Sequence, residues 1–263
     1  SKLVKRAFLR YISVMEEKYK RIAKLLSESK KCTALTGAGI SAESGISTFR
    51  SKGGLWEKYD PTVYASLDMF HQDPSKYWTI RGDFIRNYDS FKPNPAHVVL
   101  AELEEMGILN SVITQNIDGL HTKAGSKKVI ELHGNLRQTF CLKCGKEYIA
   151  PHVPDGIPPY CSECGGVLKP NTVLFGEQLP SKALLEAQQE STTSDIMLLI
   201  GTSAVVYPAA AMPQLTKDRG GQVIEINIKN EFPFTDYFIG EKAGTALPNI
   251  IKELKSMRDA AAN

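Results

Sequence analysis

The sequence predicts an α/β protein built on a parallel sheet with helices on both faces, into which two insertions introduce a second, smaller lobe. Three observations carry this. Five short apolar runs each stop at a glycine or a polar residue, segments with helical spacing lie between several of them, and two stretches break the alternation.

Taken in order, Ser13 to Ser27 places Val14, Tyr19, Ile22, Ala23, Leu25 and Leu26 among charges with roughly helical spacing, which predicts a helix with one buried face. Cys32–Thr36 reads as a strand running into Gly37. Phe49 to Lys92 is aromatic and turn-rich with no clean strand, and forms the first insertion. Pro95 to Met106 is helix-like. Strands follow at Ser111–Thr114, ending at Gln115, and at Val129–Leu132, ending at His133. Phe140 to Pro170, with four cysteines and five prolines, is the second insertion. Ser181 to Glu190 and Ala209 to Lys217 read as helices around a strand at Ile196–Ile200 that ends at Gly201. A last strand, Val223–Ile226, ends at Asn227. Ligands of such sheets bind outside the carboxyl ends of the strands, so Gly37, Gln115, His133, Gly201 and Asn227 are expected to share one crevice.

At 263 residues the chain is one large or two modest domains. Its 42% hydrophobic and 23% charged residues exclude disordered and collagen-like classes. Lysine and arginine exceed acidic residues by 32 − 29 = 3, so nucleic-acid binding would require a local basic patch, and none is evident beyond the first thirty residues. Apolar runs such as Ile196–Ile200 fall short of the roughly 18 residues of a membrane span. The charged N-terminal stretch lacks the features of a secretory signal, which leads us to expect an intracellular, cytoplasmic address, with the nucleus as the alternative in a eukaryotic source.

Cys141-x-x-Cys144, sixteen residues, then Cys161-x-x-Cys164 is the spacing of a zinc ribbon. Four thiolates converge on one metal with no position left for water, so the zinc is expected to be structural. Gly145, Gly165 and Gly166 after the pairs permit the tight turns that aim backbone amides at sulfur. Cys32 stands alone. After the first strand, Gly37-Ala-Gly39-Ile-Ser41-Ala-Glu43-Ser44-Gly45 suits either close approach of a pyrophosphate or a bare tight turn. Gln115, Asn116 and Asp118 after the second apolar run can read a polar ligand edge or form an Asx-rich turn. His133 is better placed than His71, His97, His121 or His152 to act as a general base near neutral pH, with a structural histidine as the alternative.

Together these pieces resemble the sirtuins, NAD-dependent protein lysine deacylases, over about Glu16 to Lys255. The likeness rests on Gly37-Ala-Gly-Ile-Ser-Ala-Glu-Ser-Gly45, Phe49-Arg50, Thr114-Gln-Asn-Ile-Asp-Gly-Leu-His121, Leu132-His-Gly134, the cysteine pairs, Val173-Leu-Phe-Gly-Glu177, Gly201-Thr-Ser203, Glu225-Ile-Asn227 and Lys242-Ala-Gly244. The resemblance implies a Rossmann-type NAD domain (13–48, 93–138 and 171–258), a helical module (49–92) and a zinc-ribbon module (139–170). It implies that Gly37, Ala38, Gly39, Ala42, Phe49 and Arg50 line the phosphate and nicotinamide-ribose region, and that Gln115, Asn116, Ile117 and Asp118 hold ribose and carboxamide. Gly201, Thr202, Ser203, Asn227 and Ala243 would take the adenosine half.

An acyl-lysine protein or peptide would lie as an added strand along Val173, Phe175, Gly176 and Glu177 on one side and Val205 on the other. In the implied reaction the acyl oxygen attacks C1′ of the nicotinamide ribose and His133, as general base, deprotonates a ribose hydroxyl. Asn116 orients water or that hydroxyl, and Phe49 shields the reactive face. The products would be lysine, nicotinamide and an O-acyl-ADP-ribose. Membrane or sequence-specific nucleic-acid partners are not expected. Departures occur at Ser47-Thr48 and Ser51, where proline, aspartate or threonine, and glycine are common in the family. Tyr77 to Arg86 contains no Tyr-x-x-Arg, the clamp of the branch that removes dicarboxylic acyl groups. The alternatives are ADP-ribosyl transfer to protein, a non-enzymatic NAD sensor or zinc-ribbon interaction module, and, from the fold alone, a hydride-transferring dehydrogenase, although fold does not fix chemistry.

Overall fold

The computed structural model describes residues 2–46, 60–150 and 152–262. The chain opens with α1 (Lys2–Glu28), which buries Met15, Tyr19, Ile22, Ala23 and Leu26, a 3–4 spacing that aligns all five along one stripe. The helix starts well before Ser13, because its first turns carry exposed residues such as Val4 and Tyr11 and so lack the buried periodicity that marks a helix in sequence. β1 (Cys32–Thr36) is buried throughout and leads into a short 3₁₀ turn, Ala38–Ser44. Three helices follow: α2 (Pro61–Tyr64), α3 (Leu67–Gln72) and α4 (Pro74–Arg86). α5 (Pro95–Glu105) begins at a reciprocal cap between Asn94 and His97. Next are β2 (Leu109–Thr114), α6 (Leu120–Ala124), β3 (Val129–Glu131), β4 (Gly134–Cys141), β5 (Glu147–Ile149) and β6 (Leu168–Thr172). The chain ends with α7 (Ser181–Thr193), β7 (Ile196–Ile200), α8 (Met212–Asp218), β8 (Gln222–Ile226), β9 (Tyr237–Ile239) and α9 (Ala243–Ala262).

Six strands form one parallel sheet in the order β3-β2-β1-β7-β8-β9. Successive strand residues serve opposite faces. Ala34, Val112, Leu198 and Ile224 pack with α1, α5 and α9, whereas Leu35, Ile113, Leu199 and Val223 pack with α7 and α8. Burial on both faces is why the strands read as continuous apolar runs. The sequence order of neighbours reverses between β1 and β7, the point at which an open α/β sheet leaves a crevice at its carboxyl edge.

All five apolar runs lie in this sheet. The sixth strand, β9, escaped the sequence reading because it is a three-residue edge strand. α9 was not read either, and its periodicity is interrupted by an internal Pro248. Ala209 to Lys217 divides into a 3₁₀ turn at Ala209–Ala211 and α8, with Pro213 in the first turn of the helix, where proline is tolerated.

A second core joins the two insertions. Phe70, Tyr77, Trp78, Ile85 and Tyr88 of the helical stretch pack with Leu136, Cys141, Leu168 and Leu174, and Trp78 Nε1 donates to Leu168 O at 2.9 Å. β5, β4 and β6 form a separate antiparallel sheet beside them. Trp56 and Tyr59, which belong to the same aromatic stretch of sequence, lie outside the described residues. No described helix is long and apolar enough to cross a membrane.

Candidate active site

β1 and β7 end side by side, and the turns leaving them touch backbone to backbone. Gly37 N donates to Ile200 O at 3.0 Å and Gly39 N to Gly201 O at 2.8 Å. A Cβ on Gly39 would sit 2.7 Å from Gly201 Cα, and one on Gly201 2.4 Å from Ile40 N. Glycine is therefore required by close approach, and at Gly201 also by φ +58°. The turn after Gly37 is 3₁₀, and the Gly39 N–H is already committed to Gly201. This differs from an open α-helical N-terminus offering all its amides. Ala38 is half-buried and Ala42 exposed beside this crossing. Phe49 and Arg50, like Ser47, Thr48 and Ser51, lie outside the described residues.

The end of β2 supplies the polar floor. Gln115 Nε2 donates to Thr202 Oγ1 at 2.8 Å, joining the β2 and β7 turns. Asn116 is buried, with its side-chain amide donating to Gly37 O at 3.1 Å and Ser41 Oγ at 3.2 Å. Asp118 accepts from Ser41 Oγ at 2.7 Å and Leu120 N at 2.9 Å, while burial pushes its carboxyl pKa upward. Ile117, half-buried, fastens the small lobe through its carbonyl, which accepts from Leu136 N at 2.9 Å. Asn227 Nδ2 donates to Thr202 O at 2.9 Å, beside the half-buried Ser203. Ala243 opens α9, where Gly244 N donates to Glu43 at 2.8 Å and ties that helix to the glycine turn.

His133 sits in the turn between β3 and β4, half-buried, with Nδ1 2.9 Å from Gln115 O. A carbonyl only accepts, so this bond places the proton on Nδ1 and the lone pair on Nε2. Burial lowers the imidazole pKa, partly opposed by the Gln115 bond, and a lowered value keeps the ring neutral near pH 7. The next residue, Gly134, has φ +70°, and a Cβ there would lie 2.0 Å from Asn171 O. The absent side chain lets β6 approach, and Val173 N then donates to His133 O at 2.9 Å.

That link carries the chain into the expected substrate strip. Phe175 pairs with the start of α3, its N donating to Ala65 O at 2.8 Å and its O accepting from Leu67 N at 2.9 Å. Its side chain remains 47% exposed, and Val205, expected on the other side of the substrate, is 51% exposed, so apolar surface is available to a peptide. Gly176 is exposed. Glu177 Oε2 is spent within its own loop, accepting from Leu174 N at 2.7 Å and pairing with Lys169 at 3.1 Å.

The sulfur atoms of Cys141, Cys144, Cys161 and Cys164 lie within 4.8 Å of one another, with the Cys141–Cys164 pair at 3.4 Å and Cys144–Cys161 at 3.6 Å. A tetrahedral zinc with bonds of about 2.3 Å needs sulfurs roughly 3.8 Å apart, so the set fits. Lys143 N and Cys144 N point at Cys141 Sγ, and Tyr148 Oη donates to Cys161 Sγ at 3.2 Å, holding that thiol below its usual range. Gly166 is required here, since a Cβ would meet Cys141 Sγ at 2.7 Å.

The model of the Sir2 family matches residues 37–208, which includes the glycine turn, the β2 loop, His133, the four cysteines and the substrate strip. This chain belongs to the Sir2 family. The sequence is 46% identical over 239 residues to NAD-dependent protein deacylase 2 of Pyrobaculum aerophilum, covering 89% of this chain and 95% of that protein. Among solved structures, a Sir2 homologue–NAD complex is similar with a TM-score of 0.84 and 43% identity, covering 90% of this chain and 94% of that one. A Sir2 complex with a deacetylated peptide and 3′-O-acetyl ADP-ribose matches at TM-score 0.85 and 39% identity, covering 90% and 98%.

In this Sir2 family member, a buried layer behind the polar floor went unread in the sequence. His97 Nε2 lies 3.4 Å from Ser41 Oγ, the hydroxyl that donates to Asp118. His121 Nε2 lies 2.9 Å from Thr36 Oγ1, and the two imidazoles meet edge to face at 4.9 Å. The available signal was Asn94-Pro-Ala-His97, a helix cap whose histidine is turned inward.

Burial lowers His97 to about 4 and takes His121 well below its ordinary value, with His97 a smaller contribution. Between pH 6.5 and about 4 the unfolded chain therefore binds protons at these sites that the folded one refuses, so they cost stability as the pH falls through that window. The thermal midpoint of wild type relative to His97→Gln is expected to drop between pH 7 and 5. A constant difference between the two across that range would refute this.

Proposed function

We propose that the crevice between β1 and β7 carries out removal of acyl groups from protein lysines, with the roles below. The protein is an enzyme, an NAD-dependent protein lysine deacylase, which transfers the acyl group of acyl-lysine to ADP-ribose and releases nicotinamide and an O-acyl-ADP-ribose. Bound NAD supplies an electrophilic ribose carbon, a leaving group and the hydroxyl that accepts the acyl group.

The observation that carries the reading is the His133 Nδ1–Gln115 O bond. It presents Nε2 as a neutral base at the carboxyl edge of the sheet, able to take the ribose hydroxyl proton. Asn116, its amide anchored on Gly37 and Ser41, orients that hydroxyl or a water through its oxygen. Gly37, Ala38, Gly39 and Ala42 would face the phosphates and nicotinamide ribose, the region to which the family resemblance also assigns Phe49 and Arg50, both outside the described residues. Gln115, Ile117 and Asp118 hold ribose and carboxamide, and Gly201, Thr202, Ser203, Asn227 and Ala243 the adenosine half. Val173, Phe175, Gly176, Glu177 and Val205 take the substrate as an added strand. The NAD domain spans 13–48, 93–138 and 171–258, with the helical module at 49–92 and the ribbon at 139–170.

Cys141, Cys144, Cys161 and Cys164 would hold one zinc ion, and four sulfur ligands would leave it no open position for chemistry. Paired reduced thiols suit a reducing compartment, and we place the protein in the cytoplasm. Incubation with NAD and an acetylated peptide, followed by mass spectrometry, tests the reaction. Loss of acyl mass with appearance of O-acetyl-ADP-ribose is expected, whereas ADP-ribose mass added to protein, or no turnover, would overturn it.

The acyl group is expected to be neutral. Tyr77 is buried, its hydroxyl 3.2 Å from Thr172 Oγ1. Arg81 lies one helical turn on, in a Tyr-x-x-x-Arg spacing, its guanidinium pKa lowered by burial and raised by Tyr77. Each extra CH₂ buried is worth roughly 0.8 kcal/mol, so a tunnel open at its far end would favour long chains and a closed one acetyl. On one peptide, acetyl- and myristoyl-lysine are expected to show higher kcat/KM than succinyl-lysine. Succinyl in first place would refute the ranking and point to Arg81 as a carboxylate partner.

A further inference from the structure

β8 ends in Glu225-Ile226 and is followed by Asn227, and Glu225 is fully buried, 0% exposed. Its strand neighbours Val223, Ile224 and Ile226 are buried apolar residues, which is what sheet packing alone asks for. A buried carboxylate is strongly unfavourable unless its lone pairs are filled. Here they are, and every donor comes from the segment that follows the strand. Oε1 accepts from Glu231 N at 2.8 Å and Asn227 Nδ2 at 3.4 Å. Oε2 accepts from Thr235 Oγ1 at 2.8 Å and Phe232 N at 3.3 Å. The carboxylate thus folds the β8–β9 loop back onto the end of its own strand.

Asn227 is held at the same time from a second side, since its amide also donates to Thr202 O at 2.9 Å. One buried charge therefore sets both the path of residues 228–235 and the side-chain orientation of Asn227. We propose that Glu225 is a positioning residue for the adenosine half of NAD, acting through Asn227 and this loop. The inference rests on the placement of adenosine against Thr202 and Asn227 proposed above. Glu225 has no role in the proton transfer assigned to His133, so its influence falls on cofactor binding and leaves the chemical step alone.

Glu225→Gln keeps the volume but turns one acceptor into a donor facing other donors, and Thr235→Val removes one donor isosterically. The experiment measures ADP-ribose affinity by calorimetry, with kcat and both KM values from acetyl-peptide turnover. Glu225→Gln is expected to raise Kd for ADP-ribose and KM for NAD roughly tenfold, with kcat and peptide KM within about twofold of wild type. Thr235→Val is expected to shift the same two constants in the same direction by about threefold. If Glu225→Gln does not fold, Thr235→Val decides alone. Unchanged cofactor constants, or a parallel fall in kcat and peptide affinity, would overturn the proposal. A wild-type protein that fails to bind ADP-ribose would instead overturn the assignment of the crevice itself.

Discussion

His133→Ala is expected to lower acyl transfer by about 10²-fold or more, while affinity for ADP-ribose falls far less. Nδ1 is committed to Gln115 O, so the truncation removes the Nε2 base and leaves the carbonyl that held it. The fold around it should persist, because the β4–β6 approach depends on Gly134 and the backbone of His133. The pH profile adds a second readout. Burial lowers the His133 pKa, so the base form is retained as the pH drops to 6.5, and the rate is lost only when the pH falls through the lowered value. That acid limb should vanish in the residual activity of the variant. Near-normal deacylation by His133→Ala would remove His133 from the mechanism.

Cys144→Ala is expected to abolish zinc binding and unfold the small lobe while leaving the sheet intact. Cys144 is exposed, so the substitution removes almost no packing and its effect passes through the metal. Structural zinc contributes apparent binding energies on the order of 10 kcal/mol, more than a ribbon this short recovers from its own core. Cys141 and Cys161 are buried in the cluster that also holds Trp78 and Tyr77, so loss of the ion should reach the helical stretch. A metal assay is expected to give one zinc per wild-type chain and none in the variant, with a lower thermal midpoint. Full occupancy and activity in Cys144→Ala would refute the structural role.

Much of the site could be read from local spacing. The knuckles at Cys141/Cys144 and Cys161/Cys164, the polar ends of β1, β2, β7 and β8, and His133 after β3 all depend on a few consecutive residues, and short-range patterning reports such features directly. The layer behind them is different. His97 and His121 look like ordinary surface-compatible histidines in sequence, and only packing drives both into a desolvated contact with Ser41 and Thr36. Glu225 interrupts an apolar strand and its four donors arrive from a loop with no regular period, so its burial could not be anticipated.

Sequence alone determined which segments become β1, β2, β3, β7 and β8, because burial on both sheet faces writes an uninterrupted apolar run, and it placed four cysteines at a spacing that suits one tetrahedral metal. Tertiary structure decided the order β3-β2-β1-β7-β8-β9, and with it the contact of Gly39 with Gly201 and of Gln115 with Thr202. Strand order is set by how each crossover packs its helix onto the sheet, a sum of long-range contacts that no local pattern contains.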